Sequence, residues 1–187
     1  MKNVFVLSTG RCGSLTFTKA CKHFTNFTSA HESRSGLVGD ERFAYPDYHI
    51  ESDNRLSWLL GRLDKHFGDD AFYVHLTRNP EEVAASYAER LNFNGSIMFS
   101  YKEAILLPTS KIKRTYTSME YALDYVSTVN VNIAHFLEDK SKQMHIELET
   151  AKEQFSEFAD RIGANGDLNA ALAEFDVRHN ARHQDRA

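Results

Sequence analysis

The chain has 187 residues, of which 42% are hydrophobic and 26% are charged, and its net charge is −4. This composition is typical of a soluble globular protein, and the length suits one domain over residues 1–187. The negative charge argues against general nucleic-acid binding, and two cysteines are too few for a disulfide framework. Because neither a membrane-length apolar run nor a signal-peptide pattern is found, we expect a cytoplasmic protein.

The first predicted unit is a strand, a loop of small residues and a helix. Residues 4–7 (VFVL) predict a buried parallel strand, and apolar residues recur behind the loop at helical spacing. The loop amides and the first N–H groups of such a helix point to one place, where the helix dipole favours an anion. Gly10 and Gly13 allow the backbone to approach that anion closely. Further hydrogen-bond donors come from Ser8, Thr9, Arg11, Ser14 and Thr16.

This loop differs from two familiar anion-binding loops. It is not a Walker A motif, because Gly13 is followed by serine and leucine instead of lysine and serine or threonine. It is not a cysteine phosphatase loop, because Thr18 stands where the arginine would follow Cys12. Arg11 and the helix start could lower the pKa of Cys12, but no base is evident, so a structural role is preferred. An ordinary strand-to-helix turn is the competing interpretation.

The chain then passes through a strand, a loop and a helix. Residues 27–31 predict a short second strand, which ends at His31 and Glu32. Residues 36–52 contain glycines, a proline and several charges, which is typical of a loop. Residues 53–67 predict a helix that begins at a capping aspartate and carries apolar residues at helical spacing.

A second strand-to-helix junction follows. Residues 71–77 (AFYVHLT) predict another buried strand, after which Asn79 suits a helix cap and Pro80 suits the first helical position. Ser86 lies seven residues beyond Asn79, about two turns, so it shares a face with the cap. Arg78 and Ser86 are therefore predicted to converge on one ligand group.

Residues 92–117 look irregular and carry several lysines and aromatic residues. They are interpreted as a solvated loop, with a substrate lid as the alternative. The remaining predictions are a helix over residues 118–140, a strand over 143–148, a helix over 151–162, a last helix ending near residue 175, and a basic tail over 178–187.

This alternation of strands and helices predicts an α/β three-layer domain with a short parallel β-sheet flanked by helices. In such sheets the ligand lies beyond the carboxyl ends of the strands. Three groups are expected there, namely the loop of residues 9–16, the pair His31 and Glu32, and Arg78. Their expected convergence favours a binding site over an ordinary turn.

The segment STGRCGSLTF resembles the 5′-phosphosulfate loop of sulfotransferases that use 3′-phosphoadenosine 5′-phosphosulfate (PAPS), which have a P-loop-like fold. LTRNPEEVAASY resembles the family's 3′-phosphate motif, an arginine after a strand and a serine eight residues later, as Arg78 and Ser86 are. The resemblance covers residues 3–90, and beyond them only the layout near residues 143–150 is similar. Leu15 departs from the family by standing where many members have a hydroxyl residue, and the short chain implies a reduced acceptor-binding part.

The resemblance implies transfer of a sulfuryl group from PAPS to an acceptor hydroxyl or amine, with adenosine 3′,5′-bisphosphate (PAP) as product. Arg11 would neutralise the leaving phosphate. Glu32 would be the base, with His31 as the substitute, because the family uses either residue type; alternatively, Glu32 only pairs with an arginine. The family's late basic residues would correspond to Arg178 and Arg182. The expected cofactor-binding residues are Arg11, Cys12, Gly13, Ser14, Leu15, Thr16, Arg78 and Ser86.

Two other functions stay open at this point. A P-loop nucleotide kinase or another ATP-using phosphotransferase would need a Walker lysine and a metal-binding aspartate, and a non-enzymatic nucleotide-binding module would need neither. The chain has no cysteine cluster, and the predicted strand of residues 71–77 contains no aspartate, so we expect catalysis without a divalent metal. The expected partner is a small-molecule or glycan acceptor, and the sequence identifies neither that acceptor nor the oligomeric state.

Overall fold

A computed structural model describes residues 2–109, 114–177 and 179 of the chain. Its centre is a five-stranded sheet in which all neighbouring strands are parallel and lie in the order β2-β3-β1-β4-β5. The strand bounds are Asn3–Leu7 (β1), Thr28–His31 (β2), His49–Ser52 (β3), Phe72–Thr77 (β4) and Gln143–Glu147 (β5).

Helices cover both faces of this sheet, which confirms the predicted three-layer α/β fold. The α-helices are Ser14–Cys21 (α1), Leu60–Phe67 (α2), Pro80–Ala88 (α3), Ile97–Ser100 (α4), Ser118–Leu137 (α5), Ala151–Ile162 (α6) and Leu168–Ala173 (α7). A π-helical segment spans Tyr101–Leu106, and 3₁₀ turns span Gly39–Phe43, Asn54–Trp58, Gly68–Asp70, Leu148–Thr150 and Glu174–Asp176.

Each face of the sheet has an aromatic cluster that anchors β1 or the helix after it. On one face, the ring of Phe17 in α1 lies 5.3 Å from Phe155 and 5.0 Å from Phe158, both in α6. On the other face, Phe5 of β1 lies 4.6 Å from Phe67 of α2. Burying each phenylalanine contributes about 1.5–3 kcal/mol. The loop between β1 and α1 is therefore held from both ends by packed elements.

The structure corrects three sequence predictions and confirms the other strands and long helices. Residues 36–52, predicted as a loop, contain β3, whose sequence HIES has only one apolar residue. The helix predicted over residues 53–67 is interrupted at Leu59, where φ is −124° and ψ is 24°, so a 3₁₀ turn precedes α2. Asp53 does cap that turn, since it accepts from the Arg55 N–H at 2.8 Å. Residues 92–117, predicted as irregular, contain α4 and the π-helical segment.

A half-buried histidine of β4 makes stability depend on pH. His75 Nε2 lies 3.2 Å from Asn130 Oδ1 of α5, and the imidazole ring lies 5.5 Å from that of His145 on β5. Burial lowers the pKa of His75 to about 4, an effect that the Asn130 hydrogen bond opposes and His145 reinforces. The unfolded chain, with a histidine pKa of about 6.5, then binds the proton more readily than the folded chain. The contribution of His75 to stability is thus present above pH 6.5 and is lost as the pH falls towards 4.

When the pH falls from 7 to 4.5, we expect the unfolding free energy of His75→Gln to decrease by about 2 kcal/mol less than that of the wild type. The variant has no imidazole ring at position 75 to protonate. Urea unfolding of both proteins at the two pH values measures this difference. His135→Gln is the matched control, since His135 lies exposed on α5 beside Glu138. An equal pH dependence in the wild type and in His75→Gln would contradict the assignment.

Candidate active site

The loop between β1 and α1 has a backbone that turns repeatedly through the left-handed region. The φ angles of Gly10, Arg11 and Gly13 are 82°, 61° and 80°. A Cβ atom at Gly10 would collide with the Tyr87 hydroxyl, and one at Gly13 would collide with the Leu148 side chain. For Arg11, which is not a glycine, this conformation costs about 1–2 kcal/mol. The surrounding contacts therefore impose the shape of the loop.

The carbonyl oxygen of Thr9 fixes the start of this loop to two helices. It accepts hydrogen bonds from the Tyr87 hydroxyl of α3 at 2.7 Å and from the Tyr125 hydroxyl of α5 at 2.8 Å. Both tyrosines are buried, and burial raises the pKa of Tyr125 to about 12. The hydroxyls therefore keep their protons and serve as donors throughout the working pH range of a protein.

The paired donors lead to a prediction about stability. We expect Tyr87→Phe and Tyr125→Phe to cost about 1 kcal/mol each, and the double variant to cost more than their sum, because only it deprives the buried Thr9 carbonyl of both hydroxyls. Urea unfolding of the four proteins measures the coupling. Tyr73→Phe is the control partner, because the Tyr73 hydroxyl bonds elsewhere, to the Gly68 carbonyl at 2.8 Å. Additive losses for Tyr87 and Tyr125 would contradict their shared role.

The start of α1 presents backbone N–H groups to the space beside the loop. The first hydrogen bond of the helix runs from the Phe17 N–H to the Gly13 carbonyl at 3.0 Å. The N–H groups of residues 14–16 therefore have no acceptor within the helix. The first turn of α1 carries no acidic side chain. An anion is the ligand that this helix start favours.

The second predicted motif lies next to the loop. Asn79 caps α3 by accepting from two backbone N–H groups at 3.0 and 3.1 Å, and Pro80 is the first helical residue, as predicted. Ser86, two turns along α3, accepts a hydrogen bond from Arg11 Nε at 3.0 Å. The structure thus brings the loop arginine and the serine of the second motif into direct contact.

Arg78 lies directly after β4 and is half-buried. Its guanidinium forms an ion pair with Glu82, one turn along α3, and its positive charge also acts on the Cys12 thiol. The guanidinium is therefore near the loop, and Glu82 is its ion-pair partner.

The cysteine of the loop is structural, and the lowered pKa considered from the sequence is wrong. The Cys12 thiol is buried, lies 3.0 Å from the Thr9 hydroxyl and donates to the Gly10 carbonyl at 3.2 Å. Burial raises the pKa of Cys12 to about 11, although the Thr9 hydroxyl and the charge of Arg78 act in the opposite direction. This residue can meet a ligand through its backbone, while its side chain stabilises the turn.

His31 and Glu32, the two candidate bases, have different neighbours. His31 Nε2 lies 3.0 Å from Ser14 Oγ, at the first residue of α1. The Glu32 carboxylate pairs with Arg55 Nη1 at 2.7 Å, as the alternative interpretation of this residue expected for some arginine. Glu32 has a φ of 51°, so the chain turns sharply where β2 ends. Of the two side chains, the structure places that of His31 against the loop.

Several contacts of this site involve residues that the sequence did not single out. Tyr87 stands inside the LTRNPEEVAASY motif, but no local pattern links it to Thr9. Tyr125 lies 116 positions after its partner Thr9, and Arg55 lies 23 positions after its partner Glu32. Their spacing along the chain carries no signal, so only the fold could reveal them.

Part of residues 92–117 borders a cavity of about 410 Å³ instead of lying wholly in solvent. Lys111 and Lys113 of this segment, and the late arginines Arg178 and Arg182, lie outside the described residues. The cavity is lined by side chains that include Leu106, Tyr116, Tyr121 and Asp124.

The part of the chain that the structure describes has neither a cluster of metal ligands nor a helix that could span a membrane. Within residues 2–109, 114–177 and 179, no group of three histidine, cysteine, aspartate or glutamate side chains is placed to hold a metal ion. None of the helices in these ranges combines the length and the apolar character that a bilayer crossing requires.

Two solved sulfotransferase structures are similar to this one. The sulfotransferase domain from the curacin biosynthetic pathway has a TM-score of 0.62 and 13% identity, over 89% of this chain and 75% of that domain. Mouse sulfotransferase SULT7A1 complexed with PAP has a TM-score of 0.59 and 13% identity, over 92% of this chain and 64% of the mouse protein. No family model and no curated protein matches the sequence. The chain therefore has the sulfotransferase fold, which confirms the resemblance predicted from the two motifs.

Proposed function

We propose that the protein is a sulfotransferase that moves a sulfuryl group from PAPS to an acceptor hydroxyl or amine and releases PAP. The observation that carries this proposal is the 3.0 Å hydrogen bond from Arg11 to Ser86, because it joins the two motifs at the anion-binding start of α1. Neither motif alone is specific for a sulfotransferase, but the contact between Arg11 and Ser86 combines the two motifs in one site. The sulfotransferase fold of the chain supports the same conclusion.

The residues present suit PAPS, which when bound supplies the sulfuryl group. PAPS carries one phosphate at the 3′ position and one at the 5′ position of its ribose. The N–H groups of residues 13–16 and the Arg11 guanidinium bind the 5′-phosphosulfate, and Arg78 and Ser86 bind the 3′-phosphate. The left-handed turns of the loop and the lack of an acid in the first turn of α1 fit a ligand with several negative charges. Cys12 and Leu15 contribute through their backbone.

Arg11 and the amides also stabilise the reaction itself. Negative charge develops on the leaving phosphate as the sulfuryl group departs, and fixed donors stabilise that charge most where they need no reorganisation. The imposed shape of the loop provides such fixed donors. Arg11 is thus both a binding and a catalytic residue in this proposal.

His31 is the base that we favour for removing the acceptor's proton, with Glu32 as the alternative. The imidazole lies 3.0 Å from Ser14 Oγ, beside the amides that hold the sulfuryl group, whereas the Glu32 carboxylate is paired with Arg55. A base must lie within hydrogen-bonding reach of the proton that it removes. His31 meets this requirement for an acceptor that approaches the start of α1.

Transfer of labelled sulfate from PAPS to a panel of sugars, lipids and amines tests the function. We expect transfer to at least one acceptor class, and we expect it to continue in EDTA. Activity with ATP that EDTA abolishes and magnesium restores would instead indicate a phosphotransferase. Binding of PAP without transfer to any acceptor would indicate a nucleotide-binding module. A cytoplasmic location stays a prediction from the sequence.

A further inference from the structure

β3 and the residue after it carry two acidic side chains with no solvent exposure. Glu51 lies in β3 and Asp53 follows that strand, and both are 0% exposed. Acidic residues are almost never fully buried unless they are paired. Neither belongs to the two sequence motifs. Their partners therefore indicate what the two carboxylates do in the fold.

Glu51 holds the residue that follows the candidate bases. One carboxylate oxygen accepts from the Ser33 N–H at 2.8 Å, and the other accepts from the Ser33 hydroxyl at 2.5 Å. The second oxygen also lies 3.0 Å from His49 Nε2, and His49 Nδ1 lies 2.8 Å from the Thr28 hydroxyl at the start of β2. Glu51 thus binds Ser33, the residue that follows Glu32, while His49 binds the Thr28 hydroxyl at the beginning of β2.

Asp53 holds the partner of Glu32. Its carboxylate forms a buried ion pair with Arg42, whose other guanidinium nitrogen donates to the Tyr45 hydroxyl at 2.8 Å. The same carboxylate accepts from the Arg55 N–H at 2.8 Å, and the Arg55 guanidinium pairs with Glu32 at 2.7 Å. Both buried acids therefore reach the end of β2, one through Ser33 and one through Arg55.

We infer that Glu51 is a positioning residue for sulfuryl transfer, which acts through Ser33 to fix the turn that carries His31 and Glu32. The turn needs such a restraint, because Glu32 has a left-handed φ of 51° without being a glycine. The Glu32 N–H still bonds to the Ser52 carbonyl at 3.0 Å, so the restraint acts where the sheet ends. This inference rests on the proposed function, since the rate that it affects is that of transfer.

Ser33→Ala is the sharpest test, because it removes one hydrogen bond of Glu51 and changes no charge. We expect kcat to fall about tenfold, since small displacements of a catalytic group are costly, while the KM for PAPS and the Kd for PAP stay unchanged. Ser29→Ala is the matched control, because Ser29 lies on β2, four residues before Ser33, and its hydroxyl donates to the Thr18 carbonyl at 3.1 Å. This control should keep the wild-type kcat.

Glu51→Gln should lower kcat at least as much, and adding Ser33→Ala to it should cause little further loss, because both changes break one interaction. If Glu51→Gln does not fold, Ser33→Ala alone decides. Wild-type kcat in a folded Ser33→Ala variant would overturn the inference. An equal loss in Ser29→Ala would overturn it too, since the effect would then be a general weakening of β2.

A second measurement separates this inference from the proposed function. The imidazole NMR signals of His31 should shift in Ser33→Ala and stay in place in Ser29→Ala. If the wild type transfers no sulfate to any acceptor, the proposed function fails while this measurement still decides whether Ser33 positions His31. Unchanged His31 signals in Ser33→Ala would show that the turn does not depend on Glu51.

Discussion

The Arg78→Ala variant is expected to bind PAP at least about thirty-fold more weakly than the wild type, a loss of roughly 2–5 kcal/mol. The side chain of Arg78 is 29% exposed and its charge acts on Cys12 in the loop, so a phosphate held there is partly shielded from water. AMP lacks the 3′-phosphate, so its affinity should change little. Isothermal titration calorimetry with both nucleotides measures the two affinities.

The chain offers a close control for this variant. Arg161 pairs with Glu157 one turn away on α6, as Arg78 pairs with Glu82 at α3. Arg161→Ala removes the same charge far from the loop and should leave PAP binding unchanged. If the wild type binds PAP and AMP equally well, Arg78 does not bind a 3′-phosphate and serves only the ion pair with Glu82.

The His31→Ala variant is expected to lose about 10²–10⁴-fold in turnover while its affinity for PAP stays nearly unchanged. In the proposed mechanism the imidazole, which lies 3.0 Å from Ser14 Oγ, removes the acceptor's proton, whereas the loop amides, Arg11, Arg78 and Ser86 bind the nucleotide. Steady-state kinetics with PAPS and one accepted substrate, together with calorimetry for PAP, separates the two effects.

His145→Gln provides the matched control for His31. His145 is also a histidine on an edge strand, and its Nε2 lies 2.8 Å from the Thr77 hydroxyl. This variant should keep its turnover. If His31→Ala stays active while Glu32→Gln loses turnover at unchanged PAP affinity, the base is Glu32, and its pairing with Arg55 would have to open for catalysis.

Two of the strands that the sequence predicts correctly have a continuous apolar run of their own. β1 and β4 contain the runs VFVL and FYVHL, and both lie in the interior of the sheet. β3 also lies in the interior of the sheet, but the sequence does not predict this strand. Its residues Glu51 and His49 are polar, although both are buried. Their hydrogen bonds to Ser33 and Thr28 make that burial possible. Such partners come from the fold and leave no periodic pattern.

The same distinction holds for the site. Loop and cap chemistry is local, so the loop before α1, the start of that helix and the cap at Asn79 could be predicted from neighbouring residues. The pairing of Glu32 with Arg55, and of Arg11 with Ser86, depends on which strands become neighbours. The sequence placed the loop, His31 and Arg78 at the carboxyl ends of parallel strands, where the structure has them, but it could not predict which side chains meet there.

The attachment of the Thr9 carbonyl to α3 and α5 ties ligand binding to the unfolding of the whole chain. Its two tyrosine donors lie 78 and 116 residues further along the sequence, so the loop cannot open without breaking its hydrogen bonds to these helices. A nucleotide bound at the loop then stabilises every conformation in which α3 and α5 are docked. At a hundredfold excess over its Kd, this linkage adds about 2.7 kcal/mol. Amide hydrogen exchange along α5 should consequently slow when PAP is bound.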